Sequence, residues 1–525
     1  MQPNAVIIGA GHNGLVAANV LADAGWDVVV LEAALVPGGA VRSAEVTAPG
    51  FVNDLFSACY PFAAVSPALQ SLKLERQGLR WAHAPAVLAH PRLGGPAAVL
   101  SRDIDRTAES LDAIARGDGV RWRDLYELYT SASPHLVDAL LGPFPPVRSA
   151  ARLAAALGPR RLAELGRLAM LPVRRLAEER FDGDGARLLL TGNALHADAS
   201  PDGAGSGIYG WLMTTLAQDV GFPAPVGGAG ALTEALVSRL VAAGGKVCCG
   251  EAVGEILVRD RRAEGVRLEG GDVIRARAVL ADVDAVALYE RLIAPEHLPA
   301  RTHAALRRFE RGPGTFKVDW ALSGPIPWSD PSVAAAGVVH IGDSPADVAV
   351  GAAQVTSGWV PARPFTIVGQ MTTTDPSRSP PGTESAWAYA HVPQRIVRDA
   401  GPDGITAAWA EREVEAFAGR IEDQIERHAP GFRTRVIARH TLSPPAMQAE
   451  NANLVGGDLS GGTAQLHQQL FLRPIPGLGR PGTPIRGLYL ASSSAHPGAG
   501  VHGACGANAA RAARLGLRFG ADGRG

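Results

Sequence analysis

Ala5-Val-Ile-Ile-Gly9-Ala-Gly11-His-Asn-Gly14-Leu15, continued by Asp27-Val-Val-Val-Leu31-Glu32, is the stretch that decides the fold. Ala5 to Ile8 is apolar without alternation and reads as a short strand buried on both faces. The glycines that follow fall in the order G-x-G-x-x-G. Leu15, Ala18, Leu21 and Ala22 then recur at helical spacing, and Gly25 falls where a helix C-cap belongs. Asp27 to Leu31 reads as a second strand, ending at Glu32. Strand, turn, helix and strand form the context in which this glycine pattern binds a dinucleotide. Gly9 permits the sharp turn, Gly11 lets the backbone approach a pyrophosphate, and Gly14 lets helix and strand pack closely. The helix N-terminus offers free N–H groups and its positive dipole end. Glu32 lies about 20 residues beyond the glycines, where a carboxylate accepts hydrogen bonds from a ribose and disfavours a 2′-phosphate, so NADP is not expected.

Beyond this motif the chain runs to 525 residues, more than one ordinary domain. Its 50 basic and 51 acidic residues leave a net charge of −1, so no global field recruits nucleic acid. Cys59, Cys248, Cys249 and Cys505 have neither zinc-ligand nor CxxC spacing, and no metal site is expected. The first apolar run has no basic flank and passes at once into glycines, unlike a secretory signal. No apolar run reaches the about 18 residues of a membrane span, and a cytoplasmic protein is expected.

Downstream of Glu32 come Gly38-Gly39, Arg42 and Ser43, then Gly50-Phe51 and Asp54. The extended pattern G-x-G-x-x-G…E…G-G-x-x-x-S resembles the dinucleotide motif of the flavoprotein amine oxidase and phytoene desaturase superfamily. The resemblance implies FAD, with Gly38, Gly39 and Ser43 along its phosphates; Arg42 either neutralises phosphate charge or caps the loop. Pro225 to Asp282 resembles the middle FAD segment of the same superfamily, with Val253 at the position whose backbone faces the adenine. Gly227, Gly228 and Gly230 are not read as a second nucleotide loop, because no buried strand precedes them. Arg486-Gly-Leu-Tyr-Leu-Ala491, Ser492 to Gly506 and an Ala-rich helix follow near the C-terminus. They resemble the family's closing segment G-L-Y-L-x-G-A-G-T-H-P-G-G-G-V-x-G-x-x-G, with three serines where glycine and alanine are usual. That likeness implies that Ser493 or Ser494 approaches the flavin tail, that Gly500, Gly503 and Gly506 let the chain pass the isoalloxazine, with Val501 also at the cofactor, and that a helix from near Ala504 points its positive end at the flavin. Asn453 to Gly462 and Arg473-Pro474 resemble the phytoene dehydrogenase-related subgroup, also described as pyridine nucleotide-disulfide oxidoreductase domain-containing proteins.

The expected architecture is α/β: a Rossmann-type, glutathione reductase-like FAD domain built from discontinuous segments, with a mixed α+β substrate domain and a helical insertion. The segments are 1–80, 221–290 and 471–525 for FAD, 81–220 for the helical insertion and 291–470 for the substrate domain. Phe144 to Phe181 carries eight arginines among leucines and alanines, either a solvated helical face or a basic surface for peripheral membrane contact. Lys317, in the strand-like Thr315 to Leu322, resembles the amine oxidase lysine that holds a water near flavin N5. His496 and His502 flank the flavin segment and are candidates to orient substrate or move a proton. The resemblance implies hydride transfer from a substrate carbon to flavin, first of all desaturation of a C–C bond in an apolar small molecule, with oxygen or a quinone as acceptor. Amine oxidation and a redox-neutral isomerase or FAD-holding scaffold are the alternatives.

Overall fold

A computed structural model describes residues 3–519. Along the chain run β1 (Ala5–Ile8), α1 (His12–Ala22), β2 (Val28–Glu32), β3 (Ala86–Arg92) and β4 (Gly95–Leu100). Helices α2 (Asp118–Leu141), α3 (Val147–Leu168), α4 (Asp184–His196) and α5 (Ser206–Val220) follow. Then come α6 (Gly230–Ala242), β5 (Lys246–Cys249), β6 (Val253–Arg259), β7 (Arg262–Leu268), β8 (Val273–Arg275) and β9 (Ala278–Ala281). The remaining principal elements are β10 (Gly314–Leu322), β11 (Ala336–Ile341), β12 (Thr366–Gln370), β13 (Glu384–Val392), α7 (Glu411–His428), β14 (Val436–Leu442), β15 (Leu488–Leu490) and α8 (Ala504–Phe519).

Strands from three distant stretches make one parallel sheet in the order β15-β9-β1-β2-β5. Its central strand β1 pairs with β9 and β2, Ala5 standing opposite both Ala278 and Val28. A strand paired on both edges and covered on both faces buries every side chain, which is why these strands read as unbroken apolar runs. Ala5 and Ile7 enter a core with Leu15, Leu236 and Ala510, beneath α1, α6 and α8. Val6 and Ile8 enter the core on the other face, with Ile256, Val266 and Leu268 of the antiparallel β6-β7-β8 sheet. The Rossmann-type domain is thus assembled from discontinuous parts of the chain. Gly25, with φ of +78°, lies two residues past the helix C-cap, Asp23.

A second sheet has seven strands in the order β14-β10-β13-β12-β11-β3-β4. Its edge hairpin β3–β4 lies in the stretch expected to be helical insertion, at residues 86–100, and β3 joins β11 in parallel. The alternation of β10 sorts its side chains by face. Phe316, Val318, Trp320 and Leu322 enter a core with Phe417, Ile421 and Ile425 of α7. Lys317 pairs in register with Tyr389, and Thr315 with His391. Trp387 of β13 enters the core shared with α4 and α5, and Tyr389 packs against it.

The arginine-rich stretch is largely neutralised at the surface. Arg161 pairs with Glu127, Arg167 and Arg175 with Glu179, Arg174 with Asp202 and Arg180 with Glu164. α3 breaks at Gly158, whose φ is +67°, just before Pro159. Among the described residues no helix is long and apolar enough to cross a membrane.

Trp320 is fully buried, meets Phe432 at right angles with centroids 5.3 Å apart, and donates its indole N–H to Glu422 at 3.2 Å. Truncating it leaves both a cavity and an acceptor short of a donor. Trp320→Ala is expected to cost about 3–5 kcal/mol, read as a lower denaturant midpoint.

Candidate dinucleotide and active site

The amino end of α1 is crowded with backbone. Gly9 has φ of +93°, and a Cβ on Gly14 would lie 2.2 Å from its carbonyl oxygen. A Cβ on Gly11 would fall 2.6 Å from the Asp282 carboxylate, and one on Gly506 only 1.8 Å from the Asn13 carbonyl. The glycines therefore let three chain segments meet: the turn after β1, the end of β9 and the start of α8. Gly38 N–H donates to the Ala10 carbonyl at 2.9 Å, and Gly39 lies against Gly11. Glu32, at the end of β2, accepts the Ala10 N–H at 2.7 Å and the Ala34 N–H at 2.9 Å, one on each carboxylate oxygen. Asp282 accepts the Gly14 N–H at 2.8 Å.

Arg42 and Ser43 are engaged with protein partners. Arg42 donates to the Gly39 and Glu450 carbonyls at 3.0 and 3.1 Å, and its guanidinium lies 5.4 Å from the centre of the Phe56 ring. It caps the glycine loop. Ser43 donates to Asp54 at 2.7 Å and accepts the Gly230 N–H at 3.0 Å, tying the first segment to the second. Asp54 also takes the Ala229 N–H and forms a fully buried ion pair with Arg378 at 2.7 Å. Val253 opens β6, near the end of β2, where the Glu251 N–H donates to the Glu32 carbonyl at 2.9 Å.

The C-terminal serines and glycines are held from both sides. Arg473, 1% exposed, turns its guanidinium to the carbonyls of Ser460, Gly461, Thr463 and Ser493, a set that fixes this loop against the strand end. Ser494 accepts the Ala285 N–H at 3.2 Å. Gly500 has φ of +108°; Gly503, at +65°, packs on Val16 of α1, and Val501 joins the same core. His12 Nε2 and Asn13 Oδ1 at the head of α1 are buried without a protein partner.

Of the three residues expected to do chemistry, two are occupied. The Ala504 N–H donates to His502 Nδ1 at 3.0 Å, and His502 Nε2 faces the Ala499 carbonyl at 3.2 Å. Those partners require the neutral ring, which caps α8 and has no free lone pair. Burial, with His12 nearby, pushes its pKa down to about 3. The Lys317 ammonium is gripped by both oxygens of Asp319 within the buried face of the sheet. Its charge is thus answered inside the protein. His496 packs edge-on against Phe144, centroids 5.6 Å apart, beside the Gly142 backbone; burial, opposed by that backbone, lowers its pKa to about 4.

Cys59, His196, Tyr209 and Tyr389 keep part of their surface accessible. Burial nonetheless lifts the Cys59 thiol and the Tyr209 phenol to about 12 and drops His196 to about 4. His196 and Tyr389 meet with centroids 6.2 Å apart. Asp198, at the edge of this group, lies 2.8 Å from His391 and accepts the Ser460 hydroxyl. Charged groups stand close to this set: Asp54 and Arg378 act on the Cys59 thiol, and Arg473 acts on the Tyr209 phenol.

A family model described as an NAD(P)-binding Rossmann-like domain matches residues 7–72. The chain is 28% identical to "Pyridine nucleotide-disulfide oxidoreductase domain-containing protein 2" of Mus musculus, over 97% of this chain and 92% of the relative. It is 26% identical to one of the limonene dehydrogenase polypeptides of Castellaniella defragrans, covering 97% and 94% of the two chains. It is also 26% identical to a zeta-carotene-forming phytoene desaturase of Myxococcus xanthus, covering 94% and 90%. Among solved structures, a putrescine oxidase variant superposes with a TM-score of 0.60 at 17% identity, covering 99% of both chains. Along nearly its whole length the chain is thus similar to phytoene desaturases and related oxidoreductases, and it shares the fold of a putrescine oxidase.

The protein is an FAD-dependent oxidoreductase. Its residues fit that cofactor: a glycine-lined turn without room for a Cβ, free helix N–H groups, a carboxylate at the end of β2, and buried polar atoms on His12 and Asn13 that lack protein partners. Sequence reasoning passes over Arg378, Asp198 and His391, whose partners lie far away in the chain. It reaches Asp282 and Arg473 without assigning them a contact.

The depressed pKa of His502 carries a pH dependence. The unfolded imidazole, near 6.5, binds protons that the folded ring refuses until about pH 3, so this stability is present above 6.5 and is lost as pH falls through 3. His502→Asn is expected to flatten the acid limb of the stability–pH curve by at most about 1.4 kcal/mol per pH unit in that window. Urea midpoints measured across the same range check it.

Proposed function

We propose that this protein removes hydride from one carbon of a neutral, largely apolar small molecule while the adjacent carbon loses a proton to solvent, leaving a C–C double bond. The observation that carries this reading is the set of uncharged groups Cys59, Tyr209 and Tyr389, packed with His196 against the apolar core of α4 and α5, while the nearby Asp198 already faces a partner. A protonated amine would need an unpaired acid or an aromatic cage to replace its hydration. Here the nearby acid already faces His391 and Ser460. Relatives named for limonene and for phytoene support the same class.

Bound FAD supplies the two-electron acceptor, at its N5. The protein's own part is placement and electrostatics. In this reading Gly9, Gly11, Gly14, Gly38 and Gly39 let the backbone surround the diphosphate, while Glu32 accepts from the adenosine ribose. Val253 offers its backbone to the adenine. Ser493, Ser494, Gly500, Val501 and Gly503 run along the flavin, with α8 directing its amino end at it. Arg42 and Ser43 act through the loop they hold. His496, beside Phe144 and the Gly142 backbone, is the histidine retained as a substrate-facing group; His502 and Lys317 hold the helix cap and the sheet. Oxygen or a quinone reoxidises the cofactor. Val147 and Met170, exposed on the arginine-rich stretch, are where peripheral contact with a lipid surface would run.

Anaerobic mixing of the holoprotein with terpene or polyene hydrocarbons, and separately with primary amines, tests the reading. Bleaching of the oxidised flavin by a hydrocarbon, with a product lighter by two hydrogens, is expected; bleaching by amines alone contradicts it. Gly11→Val, whose side chain would strike Asp282, is expected to purify without flavin.

A further inference from the structure

Asp282 is an unusual neighbour for a phosphate. It follows directly on the β9 strand, is 6% exposed, and takes the Gly14 N–H at 2.8 Å. That N–H is one of the few donors α1 leaves free at its first turn, the group that a diphosphate seeks. The carboxylate oxygen also fills the space where Gly11 lacks a Cβ. A negative group thus already sits at the positive end of the helix, inside the turn.

The groups packed around it do not offset that charge. From β2 comes the carboxylate of Glu32, a like charge. From α8 comes the Cys505 thiol, held un-ionised by burial. The turn at Asn453 gives a neutral amide, which donates to the Asp282 carbonyl at 3.1 Å. α1 gives its amide end, through the Gly14 N–H. Burial and Glu32 lift the Asp282 pKa to about 7, against the pull of the Gly14 N–H.

Resting on the reading that this turn holds FAD, we propose that Asp282 is a proton-coupled gate on the dinucleotide site. The diphosphate and an ionised Asp282 exclude one another, so FAD binds to the form in which Asp282 is protonated, and loading at alkaline pH takes up one proton. No bond is made or broken beyond that O–H. The Gly14 contact survives protonation, because the carboxyl keeps a carbonyl oxygen to accept it.

The test is the FAD affinity of the full chain, stripped of flavin, from about pH 6 to about pH 9, together with calorimetric titration in two buffers of different ionisation enthalpy. The expected Kd is constant below about pH 7 and weakens by up to about tenfold per unit above it, with uptake of up to one proton. Asp282→Asn keeps the shape and the acceptor but cannot ionise; it is expected to bind FAD at all these pH values as the wild type does at the acid end. A wild-type affinity with no slope and no proton uptake overturns the gate, as does an Asn variant that retains the slope. If the Asn variant fails to fold, the wild-type proton count decides alone. A chain that takes no FAD at any pH overturns the underlying reading and the gate with it, whereas pH-independent FAD binding overturns the gate alone.

Discussion

Everything in the cofactor domain is arranged around one place where backbone meets backbone, at the amino end of α1. Three stretches of chain, hundreds of residues apart in sequence, arrive there within van der Waals reach of one another. Any Cβ on Gly9, Gly11, Gly14 or Gly506 would strike a carbonyl or the Asp282 carboxylate. That crowding forces the glycines and brings α8 against α1. It also leaves the free N–H groups of the first helical turn facing a common point. The parallel sheet beneath it follows from the same convergence, since β1, β9 and β15 must end side by side for their loops to meet.

The contacts that lock this arrangement are mostly made by polar side chains bonded to backbone. Arg473 gathers four carbonyls, Ser43 and Asp54 bind the second glycine segment, and the His502 ring caps the last helix. Each of these buried groups is answered by a partner, which is what makes its burial tolerable. The seven-stranded sheet presents Lys317 and Asp319 as a closed, buried pair.

Much of the cofactor domain is legible in the sequence. The strands around β1 are buried on both faces, so they read as apolar runs, and the glycines between them are required by sterics that any residue with a Cβ would violate. The resemblance to the flavoprotein superfamily supplies the middle and final segments, whose strands appear where they are expected. The side-chain contacts are not legible, for physical reasons. Asp54 meets Arg378 across more than three hundred residues of chain, and Asp198 meets His391 only because β13 passes beside the end of α4. His502 reads as chemistry because histidine usually does; its task depends on a ring folding back onto the amide two residues ahead, which no pattern announces. Lys317 and Asp319 are closer to being readable, since residues two apart on a strand share a face.

The central claim is that three chain segments assemble a single FAD site. Its most direct measurement is the absorption spectrum of the purified chain, with mass spectrometry of the cofactor released on denaturation. The account predicts a yellow protein that releases FAD at about one per chain. A folded, colourless protein that takes up NAD but not added FAD would contradict it.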